Sequence, residues 1–124
     1  MIGTTNPTPM IAVKDLDRAR SFYEETLGLT TIDRLGKELV SMKSGDTRID
    51  VYRSEFAGSN QATALTFNVD DIASEVRGLR DKGVSFEHYD LDGLERDGDI
   101  HKAEGMKTAW FKDPDGNILS LIEG

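Results

Sequence analysis

Two stretches of the chain place apolar residues at helical spacing. In the first, positions 16, 19, 22, 23 and 27 are apolar, and in the second, positions 72, 76 and 79 are apolar. This period of about 3.6 residues predicts helices over 16–27 and 72–82. Each predicted helix is preceded by an aspartate suited to cap it and followed by a glycine suited to end it: Asp15 and Gly28 for the first, Asp71 and Gly83 for the second.

Around the helices the pattern changes to alternation of apolar and polar residues, which predicts strands with one buried face. We expect the apolar faces to lie under the helices and the mixed faces to lie on the opposite side of the sheets. The predicted strands lie at about 8–13, 29–34, 38–43 and 46–53 in the first half of the chain, and at about 62–69, 84–90, 106–112 and 117–123 in the second.

The two halves of the chain repeat each other. The segment Val13–Leu16 resembles Val69–Ile72 at an offset of 56 residues, whereas the last turns of the two halves are offset by 70. The extra residues fall in the charged stretch 91–105, which is predicted as a long loop. The fold class is therefore predicted as α+β in a single domain, 1–124. Two tandem β-α-β-β-β modules, about 8–53 and 62–123, would form curved mixed sheets around a cleft, with the helices on the outer face.

Composition removes several classes of function. The chain has 124 residues, no cysteine, two histidines and a net charge of -8. The acidic balance argues against nucleic acid and anionic membranes as partners. Without cysteine there is no disulfide, thiolate metal site or thiol nucleophile. No apolar run approaches the length of a membrane span, and no signal-peptide pattern is present, so a cytoplasmic location is expected.

The strand–helix opening IAVKDLDRARSFYEETLGL, the segment LTFNVDDI and the closing hairpin DPDGNILSLIEG together resemble the vicinal oxygen chelate superfamily. That superfamily groups glyoxalase I, extradiol dioxygenases and bleomycin-resistance proteins. The resemblance covers roughly residues 8 to 123 and implies this fold, which hosts unrelated functions.

The resemblance also implies where a metal would bind. Metal-dependent members place one ligand on the first strand of each module and another near the end of each last strand. In this chain those positions fall on Thr8, Asp50, Ala64 and Ser120. Only Asp50 is an ordinary ligand for a hard cation, and one carboxylate would leave a divalent ion mostly hydrated. We therefore expect no bound metal and no other cofactor.

Several side chains on the mixed strand faces are candidates for ligand contact. Asp50 could contact a cation or instead pair with Arg48. Trp110 could form a ligand wall or instead pack in the core, because it and Phe111 must point in opposite directions. His101 lies in the predicted long loop and could be a binding group or an ordinary surface histidine. His88 is a weaker candidate. The predicted ligand-binding set is Arg48, Asp50, Tyr52, Thr66, Asn68, His101, Trp110 and Ser120, and no catalytic residue is assigned.

Three functions remain open on these grounds. The favoured one is a metal-free protein that binds a small organic molecule, as antibiotic-resistance members of the superfamily do. The alternative is a lyase, isomerase or dioxygenase-like enzyme with an atypical or absent metal site, and a third possibility is a regulatory domain without a small ligand. The resemblance further implies a homodimer. The expected partners are thus a small organic ligand and a second copy of the chain.

Overall fold

The computed structural model describes residues 1–124, whose internal contacts divide them into two units, Met1–Ala57 and Gly58–Gly124. Each unit combines one mixed sheet with one principal helix, so the predicted α+β class is confirmed. The grouping of both modules into a single domain stays a prediction. Neither helix has the length and apolar character required to span a bilayer.

The first unit holds a four-stranded sheet with the order β1-β4-β3-β2. Strands β1 and β4 are parallel, and the other neighbours are antiparallel. After a short 3₁₀ turn, Ile2–Thr4, its elements are β1 (Met10–Val13), α1 (Leu16–Ser21), a π-helical turn (Phe22–Thr26), β2 (Thr30–Leu35), β3 (Leu39–Ser44) and β4 (Thr47–Arg53).

The helix α1 begins where the sequence predicts. The Asp15 carboxylate accepts hydrogen bonds from the backbone N–H groups of Asp17, at 3.0 Å, and Arg18, at 3.2 Å. The predicted helix over 16–27 changes to π-helical geometry from Phe22 onward, and the backbone N–H of Leu27 bonds the carbonyl of Phe22. Apolar spacing over a single turn predicts a helix but does not distinguish π-helical from α-helical hydrogen bonding.

The faces of the first sheet divide as expected. The side chains that share a face with the helix are almost fully buried: Ile11, Val13, Val40, Met42, Ile49 and Val51. Arg34 on this face forms an ion pair of 2.9 Å with Asp17 of α1, which fixes the helix to that side. The opposite face therefore carries the mixed set, including Arg48, Asp50 and Tyr52.

The second unit holds a sheet with the order β5-β10-β9-β8-β7, and β6 pairs with the remaining part of β9. Its elements are β5 (Thr63–Asn68), α2 (Ile72–Asp81), β6 (Phe86–Glu87), β7 (Glu95–Asp97), β8 (Ile100–Ala103), β9 (Met106–Lys112) and β10 (Ile118–Glu123). Strands β5 and β10 are parallel, as β1 and β4 are in the first unit, so the predicted repeat extends to strand direction.

Helix α2 is capped by two carboxylates. Asp71 accepts from the backbone N–H of Ser74 at 3.2 Å, and Glu123 of β10 accepts from that of Ile72 at 3.0 Å. Because Glu123, Leu121 and Leu119 alternate onto one face, this contact places the apolar face of β10 under the helix. Phe111 belongs to the same face and meets Phe86 edge-on, with ring centroids 5.6 Å apart. Trp110 consequently lies on the opposite face.

Two segments differ from the sequence expectation. The strand predicted over 84–90 is limited to Phe86–Glu87, and the predicted loop 91–105 contains the hairpin of β7 and β8. All three residues of β7 are charged, and β8 has apolar residues only at its two ends, so neither strand shows the apolar alternation that reveals a strand. The hairpin turns at Gly98, where φ is +62°. Glu104 and Gly105, both at positive φ, connect β8 to β9 as a tight two-residue turn requires.

Candidate functional site

On the mixed face of the first sheet, the carboxylate of Asp50 forms an ion pair with the side chain of Arg48. Its side chain is largely buried, and its two oxygens lie 3.0 Å from Nε and 3.4 Å from Nη2 of Arg48. The same Nη2 donates to the Ser41 hydroxyl at 2.9 Å. The ion-pair role that the sequence left open for Asp50 is thus the one found in the structure.

This arrangement holds Asp50 as an anion. Burial alone would raise the pKa of Asp50, but hydrogen bonds from Arg48 and Ser41, with the charge of Arg48, outweigh burial and lower the pKa. Arg48 itself is more than half exposed. The pair therefore presents a guanidinium edge to solvent rather than a free carboxylate.

Beside this pair runs a row of apolar side chains. The strand register places Tyr52 opposite Ala12 on one side and Leu39 on the other, and Leu39 lies opposite Leu35. Leu35 is 69% exposed. A partly exposed apolar row next to a polar pair is a surface that suits an organic molecule with one polar group.

On the mixed face of the second sheet, the predicted residues lie in neighbouring rows. The register sets Thr66 of β5 opposite Ser120 of β10, and Ser120 opposite Trp110 of β9. The hydroxyls of Thr66 and Ser120 are 2.6 Å apart. Asn68 is exposed on the adjacent row, because β5 is the edge strand of this sheet. The unit thus places five of the predicted residues on one face: Thr66, Asn68, His101, Trp110 and Ser120.

Three aromatic rings meet on this face. The ring centroid of Trp110 lies 4.9 Å from that of His101 and 5.1 Å from that of Tyr89, both in edge-on contact. We call Tyr89, His101 and Trp110 the aromatic cluster. Tyr89 was missed by sequence reasoning. Pairing the segment after 84 with β9 would have found it, because Glu87 lies directly opposite Trp110.

His101 corrects an expectation. The sequence placed it in an irregular loop near the surface, whereas it lies in β8 with 1% of its surface exposed. Its Nε2 accepts a hydrogen bond of 2.9 Å from the backbone N–H of Tyr89. Its Nδ1 is buried and has no hydrogen-bond partner in the protein. A hairpin rather than a loop thus brings this histidine into the sheet.

His88, the weaker candidate, has a structural partner. Its Nε2 lies 2.6 Å from one oxygen of Asp99, and Arg80 of α2 lies 3.0 Å from the other. The hydrogen bond with His88 is the largest cause that lowers the pKa of Asp99, and Arg80 adds to it against the effect of burial. These contacts tie the turn of the β7–β8 hairpin to the helix.

A cavity of about 390 Å³ lies at the end of β7, β8 and β9. It is lined by charged residues of the hairpin and by Met106, and it includes none of the predicted site residues. Its two lysines are already paired, Lys102 with Asp97 at 3.3 Å and Lys107 with Glu123 at 3.6 Å. The residues that could contact a ligand by stacking and hydrogen bonding therefore lie on the mixed sheet faces instead.

A family model described as the Glyoxalase/Bleomycin resistance protein/Dioxygenase superfamily matches residues 5–121. The chain belongs to this superfamily. A relative by sequence is the uncharacterized protein YetH of Bacillus subtilis (strain 168). It is 27% identical over 124 residues, which cover 94% of this chain and 95% of YetH. The predicted family resemblance is thereby confirmed.

Solved structures share the superfamily fold. Lactoylglutathione lyase from Agrobacterium tumefaciens has a TM-score of 0.72 and 19% identity, covering 98% of this chain and 94% of its own. TnmS3, an antibiotic-binding protein from Streptomyces sp. CB03234, has a TM-score of 0.65 and 22% identity, covering 97% of each chain. At such identities the likeness establishes the fold alone.

The four residues that the family resemblance implies as metal positions do not fit a metal. Asp50 is already paired with Arg48, whose positive charge opposes a cation, and the Ser120 hydroxyl bonds Thr66. Ala64 has no donor atom, and Thr8 offers one neutral oxygen. No three His, Asp or Glu side chains in the chain group closely enough to hold an ion.

Proposed function

We propose that this protein binds a small planar organic molecule, such as an antibiotic, without a metal ion. The observation that carries the proposal is the Arg48–Asp50 pair. Asp50 is the one ordinary ligand among the positions at which the family resemblance implies a metal, and its carboxylate is occupied by the Arg48 guanidinium. A site built this way binds by stacking, hydrogen bonds and charge rather than by coordination. Membership in the superfamily and the fold shared with the antibiotic-binding TnmS3 support it.

The mixed face of the second unit supplies the contacts that such a ligand requires. Trp110 and Tyr89 are half-buried and offer flat apolar surface, while Thr66 and Ser120 offer hydroxyls on the neighbouring strands. Rigid aromatic surface with a few fixed polar groups is the usual composition of a small-molecule site. A neutral ligand is favoured, because the net charge of -8 repels anions and the exposed guanidinium of Arg48 opposes cations. The cytoplasmic location stays a prediction.

A thermal-shift screen tests this function. Antibiotics, aromatic catabolites and divalent metals are added to chelator-treated protein at one fixed protein concentration, since association also shifts the melting temperature. We expect an organic compound to raise the Tm by about 10 °C at a concentration one hundred times its Kd. A response to a stoichiometric divalent ion alone would favour the enzyme alternative, and no response to any compound would favour a regulatory domain.

Truncating the single tryptophan tests the location of the ligand. Trp110→Ala removes the largest flat surface of the aromatic cluster, so it should weaken binding of the screened ligand by about 1–3 kcal/mol. Calorimetric titration measures the change. Phe56→Ala is the control, because Phe56 is 78% exposed and lies outside both mixed faces. Equal affinities of the wild type and Trp110→Ala would exclude the aromatic cluster.

A further inference from the structure

A row of four charged side chains crosses the sheet of the second unit near its β7 edge. The strand register sets Glu95 opposite Lys102, Lys102 opposite Lys107, and Lys107 opposite Glu123. Because Glu123 caps α2, this row lies on the helix side of the sheet and not on the mixed face. At its centre two cations lie directly opposite each other, and like charges in such positions repel. An anion placed between them would relieve the repulsion.

Both central lysines keep hydrogen-bond donors for such an anion. The ammonium group of a lysine has three N–H donors. Lys102 contacts Asp97 at 3.3 Å and Lys107 contacts Glu123 at 3.6 Å, which is longer than the about 2.7–2.9 Å of a strong charged hydrogen bond. Both lysine side chains are partly exposed and line the cavity of about 390 Å³. An anion can therefore reach both ammonium groups from solvent.

Two carboxylates of the same cavity have no partner within the protein. Glu95 lies opposite Lys102, but the Lys102 ammonium contacts Asp97 instead. Glu104, in the turn that joins β8 to β9, takes part in no ion pair. The cavity thus combines two cations, which can donate hydrogen bonds, with two anions, which can accept them.

Glu104 occupies a backbone position that disfavours glutamate. Its φ is +50°, and it is the one non-glycine residue of the chain with a positive φ. Two-residue turns of this kind favour Asn-Gly, Asp-Gly or Gly-Gly, because glycine has no Cβ and a short polar side chain can bond to the nearby backbone. Glutamate has neither advantage, so stability does not explain its presence in the turn. A role for its carboxylate in the cavity does.

We propose that this cavity binds a small zwitterion of the amino-acid class, with its carboxylate between Lys102 and Lys107 and its ammonium group at Glu104 and Glu95. The site goes beyond the proposed function, because it lies on the other side of the sheet from the aromatic cluster. A zwitterion carries no net charge, so it escapes the long-range repulsion that the net charge of -8 exerts on anions.

The cavity has room for the side chain of an amino acid. Its volume of about 390 Å³ lies in the range of roughly 300–1,000 Å³ that small-molecule sites occupy. Gly93, Ala103 and Gly105 form part of its wall, and their side chains take up little of that space. The uncharged part of the ligand therefore need not displace a protein side chain.

Amide NMR of the wild-type protein tests the proposal with three probes of one carbon skeleton. L-leucine carries both charges, isopentylamine lacks the carboxylate, and isocaproate lacks the ammonium group. We expect L-leucine to shift the amide resonances of residues 93–107 saturably. Each analogue should bind at least about tenfold more weakly, because one pair of charged groups in the cavity then loses its partner. No saturable shift with L-leucine up to its solubility limit, or an equal Kd for either analogue, would overturn the proposal.

The variant Glu104→Asn separates binding from folding. Asparagine is preferred in this turn, so the variant should have a higher Tm than the wild type while its Kd for L-leucine rises at least about tenfold. Glu75→Gln is the matched control and should leave the Kd unchanged, because Glu75 is exposed on α2 and lies outside the cavity. A Glu104→Asn variant that binds L-leucine as tightly as the wild type, or whose Tm does not rise, would overturn the proposal. The ligand of the thermal-shift screen should bind this variant unchanged, so the proposed function is tested separately.

Discussion

At the scale of single residues, Asp99 provides a test of the electrostatics. Its pKa is lowered by the hydrogen bond with His88 and by Arg80, so its contribution to stability is present above the unfolded-state pKa of about 3.9. That contribution is lost as pH falls from there through the lower folded-state pKa. Asp99→Asn should reduce the free energy of unfolding by about 1–2 kcal/mol at neutral pH and by progressively less below about pH 4.

Urea unfolding at several pH values measures this difference. Asp97→Asn is the matched control, because the Asp97 side chain is 77% exposed and pairs only loosely with Lys102. It should change stability by no more than about 0.5 kcal/mol. If Asp99→Asn lowers the free energy of unfolding equally at acidic and neutral pH, the negative charge of Asp99 does not contribute to stability.

The Arg48–Asp50 pair makes a second prediction at this scale. Arg48→Met leaves the Asp50 carboxylate largely buried with only Ser41 beside it, so the free energy of unfolding should fall. Adding Asp50→Asn removes the unpaired buried charge and should restore part of the lost free energy of unfolding. A double-mutant cycle by urea unfolding gives the coupling, and additive losses would contradict the pairing of these two side chains.

The sequence predicted which side chains lie together only where they alternate along a regular strand. Arg48, Asp50 and Tyr52 were placed together because every second residue of a strand shares a face. The orientation of Trp110 was not predictable, since its neighbour Phe111 fits the core equally well. His101 was assigned to a loop because the strand that carries it has no apolar pattern of its own.

At the scale of elements, replacing Gly58 by alanine and replacing Gly78 by alanine should change the stability of the protein in opposite directions. Gly58 has a φ of +72°, and a Cβ there would lie 1.9 Å from the carbonyl oxygen of Asp115. Gly58→Ala should therefore destabilise the protein by more than about 2 kcal/mol. Thermal and urea unfolding measure the loss, and a change near zero would mean that the backbone yields at this contact.

Gly78 is the matched control. It lies within α2, and a Cβ at this position would have no atom of another residue within 4 Å beyond its own stretch of helix. Alanine loses less backbone freedom than glycine when a helix forms, so Gly78→Ala should stabilise the protein by about 0.5–1 kcal/mol. Destabilisation by this variant would contradict the open space around Gly78.

How accurately each helix or strand could be predicted depends on the strength of its apolar periodicity. Both helices and the long strands were located within a few residues, because apolar periodicity and capping aspartates agree there. The hairpin of β7 and β8 was missed because backbone pairing and side-chain ion pairs hold it, and its one fully buried side chain is the polar His101. Arg80 and His88 fix its turn through Asp99, and such long-range pairing leaves no local signal.

At the scale of the whole molecule, the internal repeat is the decisive sequence signal. It predicts the α+β class and supports the family resemblance, since two offset copies of one pattern fit few folds. The same offsets relate the four metal positions to one another, and three of the four lack an ordinary ligand. The repeat does not identify the ligand, because the fold carries many functions.

The assembly gives a further prediction. Large apolar side chains remain exposed on single chains, among them Phe56, Leu91 and Met106. Exposed apolar surface of this kind is commonly covered by association, so we expect a homodimer. Light scattering at micromolar concentration should give twice the mass of the chain. A monomeric mass would refute the dimer without affecting the proposed ligand site.

Metal independence is the central claim, and calorimetric titration tests it most directly. The compound that raises the Tm most in the screen is titrated into protein dialysed against chelator, and then into the same protein with added zinc. We predict saturable binding in both cases, with Kd values that agree within about twofold. Binding that appears only after zinc is added would contradict the account.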